Sequence, residues 1–81
     1  MNTSVRKARI RWQCRRGMLE LDLILNQFVD RHLETLTEHQ LGQMESLLDC
    51  SDPELYSWLL DSESPGDKEL HDIVQLVRSY R

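Results

Sequence analysis

A chain of 81 residues has room for one small domain, and a domain this short hides only about 60 % of its unfolded surface, so its core is thin. The mixture of 40 % hydrophobic and 30 % charged residues, rich in Leu and with only three Gly and two Pro, excludes a disordered chain and a turn-rich all-β fold and favours helix. The net charge of −4 conceals a division: residues 1–17 hold six bases and no acid, and residues 18–81 hold all 14 acids and four bases. That division predicts a basic end directed at an anionic partner or folded back on the protein's own acidic face.

The first predicted helix covers residues 4–14, with Thr3 or Ser4 as its cap. Val5, Ala8 and Trp12 share a stripe expected to face the core, leaving Arg6, Arg9 and Arg11 on an exposed basic face. Gly17 stops or kinks this helix. The second helix runs from about Met18 to His32, with Leu21, Leu25, Phe28 and His32 as its stripe and Ile24, Val29 and Leu33 widening it. Glu20 and Asp22 occupy its first turn, where the helix dipole favours negative charge. Thr37 and Gln40 fit a capping box, flanked by Leu36 and Leu41 as a hydrophobic staple, and start a third helix that ends near Asp49. Pro53, capped by Ser51 or Asp52, opens a short fourth helix to about Leu60 that presents Leu55, Trp58 and Leu59. Residues 61–66 have strong turn chemistry. A fifth helix covers Asp67 to Ser79, with Leu70, Ile73, Val74 and Val77 inward and Arg78 complementing its dipole. The expected architecture is all-α: one compact domain over residues 1–81, a bundle of five short helices with a basic segment 1–17 and an acidic helical remainder.

No apolar run approaches the roughly 20 residues that span a bilayer, so no membrane insertion is expected. Cys14 and Cys50 are far apart, with no signal peptide before them, and read as reduced thiols. They and His32, His39 and His71 lack CxxC or HxxxH spacing, so no metal site is expected. Cys14 reads as a small buried thiol rather than a nucleophile. Trp58 is expected in the core, His32 on a helix face, and His39 and His71 toward solvent. No GxGxxG or strand–turn–helix unit is present to hold a dinucleotide, so no tightly bound cofactor is expected. A lone enzyme finds no support in triad, metal cluster or phosphate loop. A nucleic-acid module using Arg6 to Arg16 is the rival reading, and the sequence pI near 5.2 counts against it.

The informative stretch is Arg9-Ile10-Arg11-Trp12-Gln13-Cys14-Arg15-Arg16-Gly17-Met18-Leu19-Glu20. It resembles the signature of the SdhE-type FAD assembly factors, an Arg-Gly-x-x-Glu motif that follows a basic segment with an aromatic residue. Here the motif is Arg16-Gly17-Met18-Leu19-Glu20. Leu47-Leu48-Asp49, Asp52-Pro53-Glu54-Leu55, Trp58-Leu59 and the helix around Ile73-Val74 also look like that family. The resemblance implies a five-helix fold. It implies a role in promoting covalent attachment of FAD to the flavoprotein subunit of succinate dehydrogenase, and often of fumarate reductase, with the flavin carried on the partner. The residues it points to are Arg16, Gly17 and Glu20, with Arg9, Arg11, Trp12, Arg15 and Met18 as supporting contacts. Some members of the family have carried an antitoxin label, which is the second alternative function. The match begins almost at the first residue and leaves no room for a transit peptide, so a bacterial cytoplasmic protein is expected.

On physical grounds, Arg16 offers a planar fork to a carboxylate or phosphate, and Gly17 permits close approach of a partner. On a continuous helix, Arg16 and Glu20 would instead form an exposed i, i+4 pair of about 0.3–0.5 kcal/mol. Trp12 is placed against the core by its stripe, with contact at the basic face as the alternative.

Overall fold

The computed structural model describes residues 3–79. Five helices follow in order: α1 Thr3–Gln13, α2 Leu19–His32, α3 Glu38–Leu48, α4 Asp52–Leu59 and α5 Lys68–Ser79, with a 3₁₀ turn at Leu33–Thr35 closing α2. The all-α expectation holds, with element ends within a residue or two of those predicted. Thr3 and Ser4 lie inside α1, so the position that would cap it is outside the described residues.

The local start signals form as the sequence dictates. The Thr37 hydroxyl accepts from Gln40 N–H at 3.1 Å, and the Gln40 side-chain carbonyl accepts from Thr37 N–H at 3.0 Å. Leu36 packs beside the core and Leu41 is buried, completing the staple. Ser51, not Asp52, caps α4, in a second reciprocal box with Glu54. That leaves the Asp52 carboxylate available for another partner.

One core joins all five helices. Phe28, Leu21, Leu25 and Val29 of α2 meet Leu41, Met44, Leu47 and Leu48 of α3, Leu55 and Leu59 of α4, and Ile73, Val74 and Val77 of α5. Each removes apolar area from water at about 25 cal/mol per Å². Trp58 is half-buried against this core, and His71, expected toward solvent, is half-buried. His32 is half-buried, with its ring centroid 5.5 Å from that of Phe28. Pro65, in the loop before α5, is buried as well.

The first helix departs from expectation. Its buried residue is Ile10, followed by Cys14 just past its end, while Val5 is 48 % and Trp12 69 % exposed and Ala8 is exposed too. The reason is electrostatic and non-local. Arg6 donates to Glu45 and Glu38 of α3 at 2.8 Å each, and Lys7 donates to Glu34 at 2.8 Å. These pairs turn the Arg6–Ile10–Cys14 face of α1 inward and the Val5–Ala8–Trp12 stripe outward. Helix α1 therefore packs chiefly on α3 and only loosely on α2.

Candidate functional site

The Arg-Gly-x-x-Glu segment is not a continuous helix. Helix α1 stops at Gln13, α2 starts at Leu19, and Gly17 between them has φ +84°. A side chain disfavours that left-handed conformation, which is why glycine stands there. A Cβ at Gly17 would meet nothing within 4 Å. The turn thus presents bare backbone to solvent.

Two carboxylates and an amide hold this turn. Asp22 Oδ1 accepts from Arg16 N–H at 2.8 Å and Oδ2 accepts from Gly17 N–H at 3.2 Å. Asn26 Nδ2 donates to the Asp22 carbonyl at 2.7 Å and to the Cys14 carbonyl at 3.4 Å. The Arg16 side chain reaches across to the α3–α4 joint. Its Nε donates to Asp52 Oδ1 at 2.7 Å, and its Nη atoms donate to the carbonyls of Leu48 (2.9 Å), Cys50 (2.9 Å) and Gln13 (3.3 Å). The Arg16 side chain is 17 % exposed and its hydrogen-bonding fork is nearly filled from within the chain. The i, i+4 pair with Glu20 does not form. Glu20 is exposed and makes no hydrogen bond or ion pair with a described residue.

The other predicted residues divide between two tasks. Arg11 is paired with Asp30 at 3.0 Å. Arg9 and Arg15 are exposed and have no ion pair among the described residues, and the Arg15 guanidinium lies 5.6 Å from the Trp12 ring centroid. Of the six N-terminal bases, four are thus matched by the chain's own acids, and Arg9 and Arg15 remain outward. Met18 packs beside the core.

Between α1 and α2 runs a groove of about 290 Å³ lined by Ala8, Arg11, Trp12, Arg15, Asn26 and Asp30. On α2, Leu19, Leu23, Asn26 and Asp30 follow helical spacing and share one stripe. Leu19 is 76 % and Leu23 51 % exposed. Trp12 at the groove and Leu19 and Leu23 on the α2 stripe are thus outward large apolar side chains. Cys14 is buried, and burial pushes its thiol up to about 12 despite the opposing fields of Arg16 and Arg11. It is a packing thiol, not a nucleophile. Among the described residues no group of His, Cys, Asp and Glu is placed to hold a metal, and no helix is long and apolar enough to cross a membrane.

Sequence reasoning missed Asp22 and Asp52 as holders of the turn. It read Asp22 only as a dipole partner and Asp52 only as a rival cap. No spacing rule in the sequence marks Asp22 for this role, because the amides it accepts belong to Arg16 and Gly17, ahead of the Met18 N-cap.

Residues 8–81 match the family model described as "Flavinator of succinate dehydrogenase". The chain is 49 % identical over 73 residues to the FAD assembly factor SdhE of Legionella pneumophila strain Lens, covering 90 % of this chain and 91 % of that protein. It is 41 % identical over 73 residues to that of Yersinia pestis (90 % and 83 % covered) and 40 % over 78 residues to that of Coxiella burnetii (96 % and 95 % covered). With a family match over nearly its whole length and the motif folded into an exposed, clamped turn, the chain belongs to the flavinator of succinate dehydrogenase family, that of the SdhE-type FAD assembly factors.

Proposed function

We propose that this chain promotes covalent attachment of FAD to the flavoprotein subunit of succinate dehydrogenase, docking through the Gly17 turn and the rim of the α1–α2 groove. The observation that carries the reading is the turn itself: bare glycine backbone, fixed by internal hydrogen bonds and bordered by exposed Trp12, Leu19, Glu20 and Leu23. A surface rigid before contact loses little ordering entropy on binding. Gly17 admits the partner's backbone, Glu20 supplies a free carboxylate, and Trp12 with Arg15 and Arg9 gives a mixed aromatic and cationic edge. Arg11, paired with Asp30, lines the groove beside that edge, and Met18 packs beneath on the core. Arg16 serves mainly by shaping the turn, since its fork is already engaged.

The chemistry this surface supplies is positional. Docking favours the arrangement of the flavoprotein in which its histidine faces the flavin methyl carbon, and so lowers the barrier without a nucleophile from the factor. The flavin stays on the partner, fumarate reductase is a second client, and the factor acts as one helical domain in the bacterial cytoplasm.

The test is flavin fluorescence on the denatured flavoprotein band, from cells with and without this chain. Fluorescence that requires the chain and falls with Gly17→Arg and Glu20→Ala is expected. Equal fluorescence in all cases would overturn the reading.

A further inference from the structure

We propose that Asp22 and Asp52, two carboxylates outside the Arg-Gly-x-x-Glu motif, are positioning residues that hold the Gly17 turn in its docking conformation. This rests on the docking reading above and names what makes that surface competent.

The turn has apolar anchors only at its flanks, the buried Cys14 before it and Met18 after it. Helices α1 and α2 pack loosely on each other, Gly17 has no side chain, and the space around it is open. A glycine at φ +84° has many alternatives, and its conformational freedom favours all of them. Between those flanks, the contacts made by Arg16 and Gly17 themselves are polar. Asp22 reaches back from the first turn of α2 and accepts two successive amides, one with each carboxylate oxygen. These are charge-assisted bonds, stronger than neutral ones. Asp52 acts on the other side of the same residue pair. It binds the Arg16 side chain from the first residue of α4, and in doing so fixes which way the backbone of Arg16 enters the turn.

The two acids thus tie the turn to two different helices, one through backbone amides and one through a side chain. Asp22 is half-buried, and so is Asp52. Their carboxylates are engaged by Arg16 and Gly17 of the same chain, so their effect on a partner runs through those two residues. Losing either carboxylate lowers the fraction of molecules with a competent turn, which weakens apparent binding in proportion and leaves the rate at saturation unchanged.

The experiment titrates the flavoprotein and FAD with wild-type factor, Asp22→Asn and Asp52→Asn, and follows covalent flavin. It also measures backbone amide exchange by NMR on each free factor. For Asp22→Asn the half-saturating concentration is expected to rise about tenfold, the scale of one lost charge-assisted bond, with the saturating rate unchanged. The Arg16 and Gly17 amides should lose protection while those of α3 and α5 keep it. Asp52→Asn should shift half-saturation in the same direction with the core amides intact. Wild-type half-saturation in both variants would overturn the proposal, as would a loss of protection throughout α3 and α5, which marks a general structural role. If Asp22→Asn does not fold, Asp52→Asn decides by the same two readouts. Failure of the wild-type factor to promote attachment would sink the docking reading and this proposal with it. Wild-type stimulation retained by both variants would sink this proposal alone.

Discussion

At Gly17 two costs of substitution separate, because the backbone is strained for any side chain while the space is free. Gly17→Ala should therefore lower stability by about 1–2 kcal/mol, roughly 5–15 °C in melting temperature for a domain this size. Gly17→Arg carries the same backbone penalty and places its longer side chain in open solvent. The two variants should melt close together, yet only Gly17→Arg should block docking outright by covering the turn. Melting curves beside flavin attachment check this. A Gly17→Arg chain that melts far below Gly17→Ala would show a clash that the open surroundings rule out. Gly17 was legible in the sequence as a helix break, since glycine's properties are local. The engagement of Arg16 was not. Its partners Asp52, Leu48 and Cys50 lie 32 to 36 residues away, and no spacing rule connects them.

At the scale of elements, two capping boxes of the same kind offer a matched comparison. Thr37→Ala and Ser51→Ala each remove the hydroxyl that accepts an N3 amide, and each should cost about 1 kcal/mol. Only the Ser51 box sits beside Asp52, the partner of Arg16. Ser51→Ala should therefore reduce flavin attachment more than Thr37→Ala at equal loss of melting temperature, and equal activity in the two would count against coupling between the α4 start and the turn. The Thr37 box was readable because a cap is settled within four residues, whereas at α4 the sequence left Ser51 and Asp52 as rival caps and the box with Glu54 came from the structure. The buried face of α1 was not readable. A helix with bases on nearly every side offers two apolar stripes, and the choice between them is made by Glu38 and Glu45 on α3, 32 and 39 residues from Arg6.

Those α1 pairs also set the acid limit of the fold. The hydrogen bond from Arg6 holds the Glu45 carboxyl below its usual range, and Lys7 does the same for Glu34. Within α4, bonds from Ser51 lower Glu54. A carboxyl depressed in the folded state contributes stability that is complete above its unfolded value, about 4.3, and that is lost as pH falls through the lower folded value. The melting temperature should hold from neutral pH to about 5 and decline below that. Glu45→Gln should melt lower at neutral pH and show a shallower acid decline, because one of the titrating partners is gone. An unchanged slope would mean the α1–α3 pairs add nothing to stability.

For the molecule as a whole, the outward rotation of α1 determines which substitutions touch stability and which touch docking. Ile10 and Trp12 are two residues apart, yet one is fully buried and the other is 69 % exposed. Ile10→Ala empties core volume and should cost about 2–5 kcal/mol, with activity lost through unfolding. Trp12→Ala removes a larger side chain from solvent and should change stability by no more than about 0.5 kcal/mol. Its effect should fall on the flavoprotein, as a weaker complex and a higher factor concentration for half-maximal flavin attachment, because buried aromatics dominate binding once a partner covers them. Leu23→Ser, on the exposed stripe of α2, should behave like Trp12→Ala. Together these variants separate the two faces of a helix whose sequence favoured the opposite assignment. A Trp12→Ala chain that melts like Ile10→Ala would place Trp12 in the core after all, and one that melts and flavinylates like wild type would remove Trp12 from the docking surface.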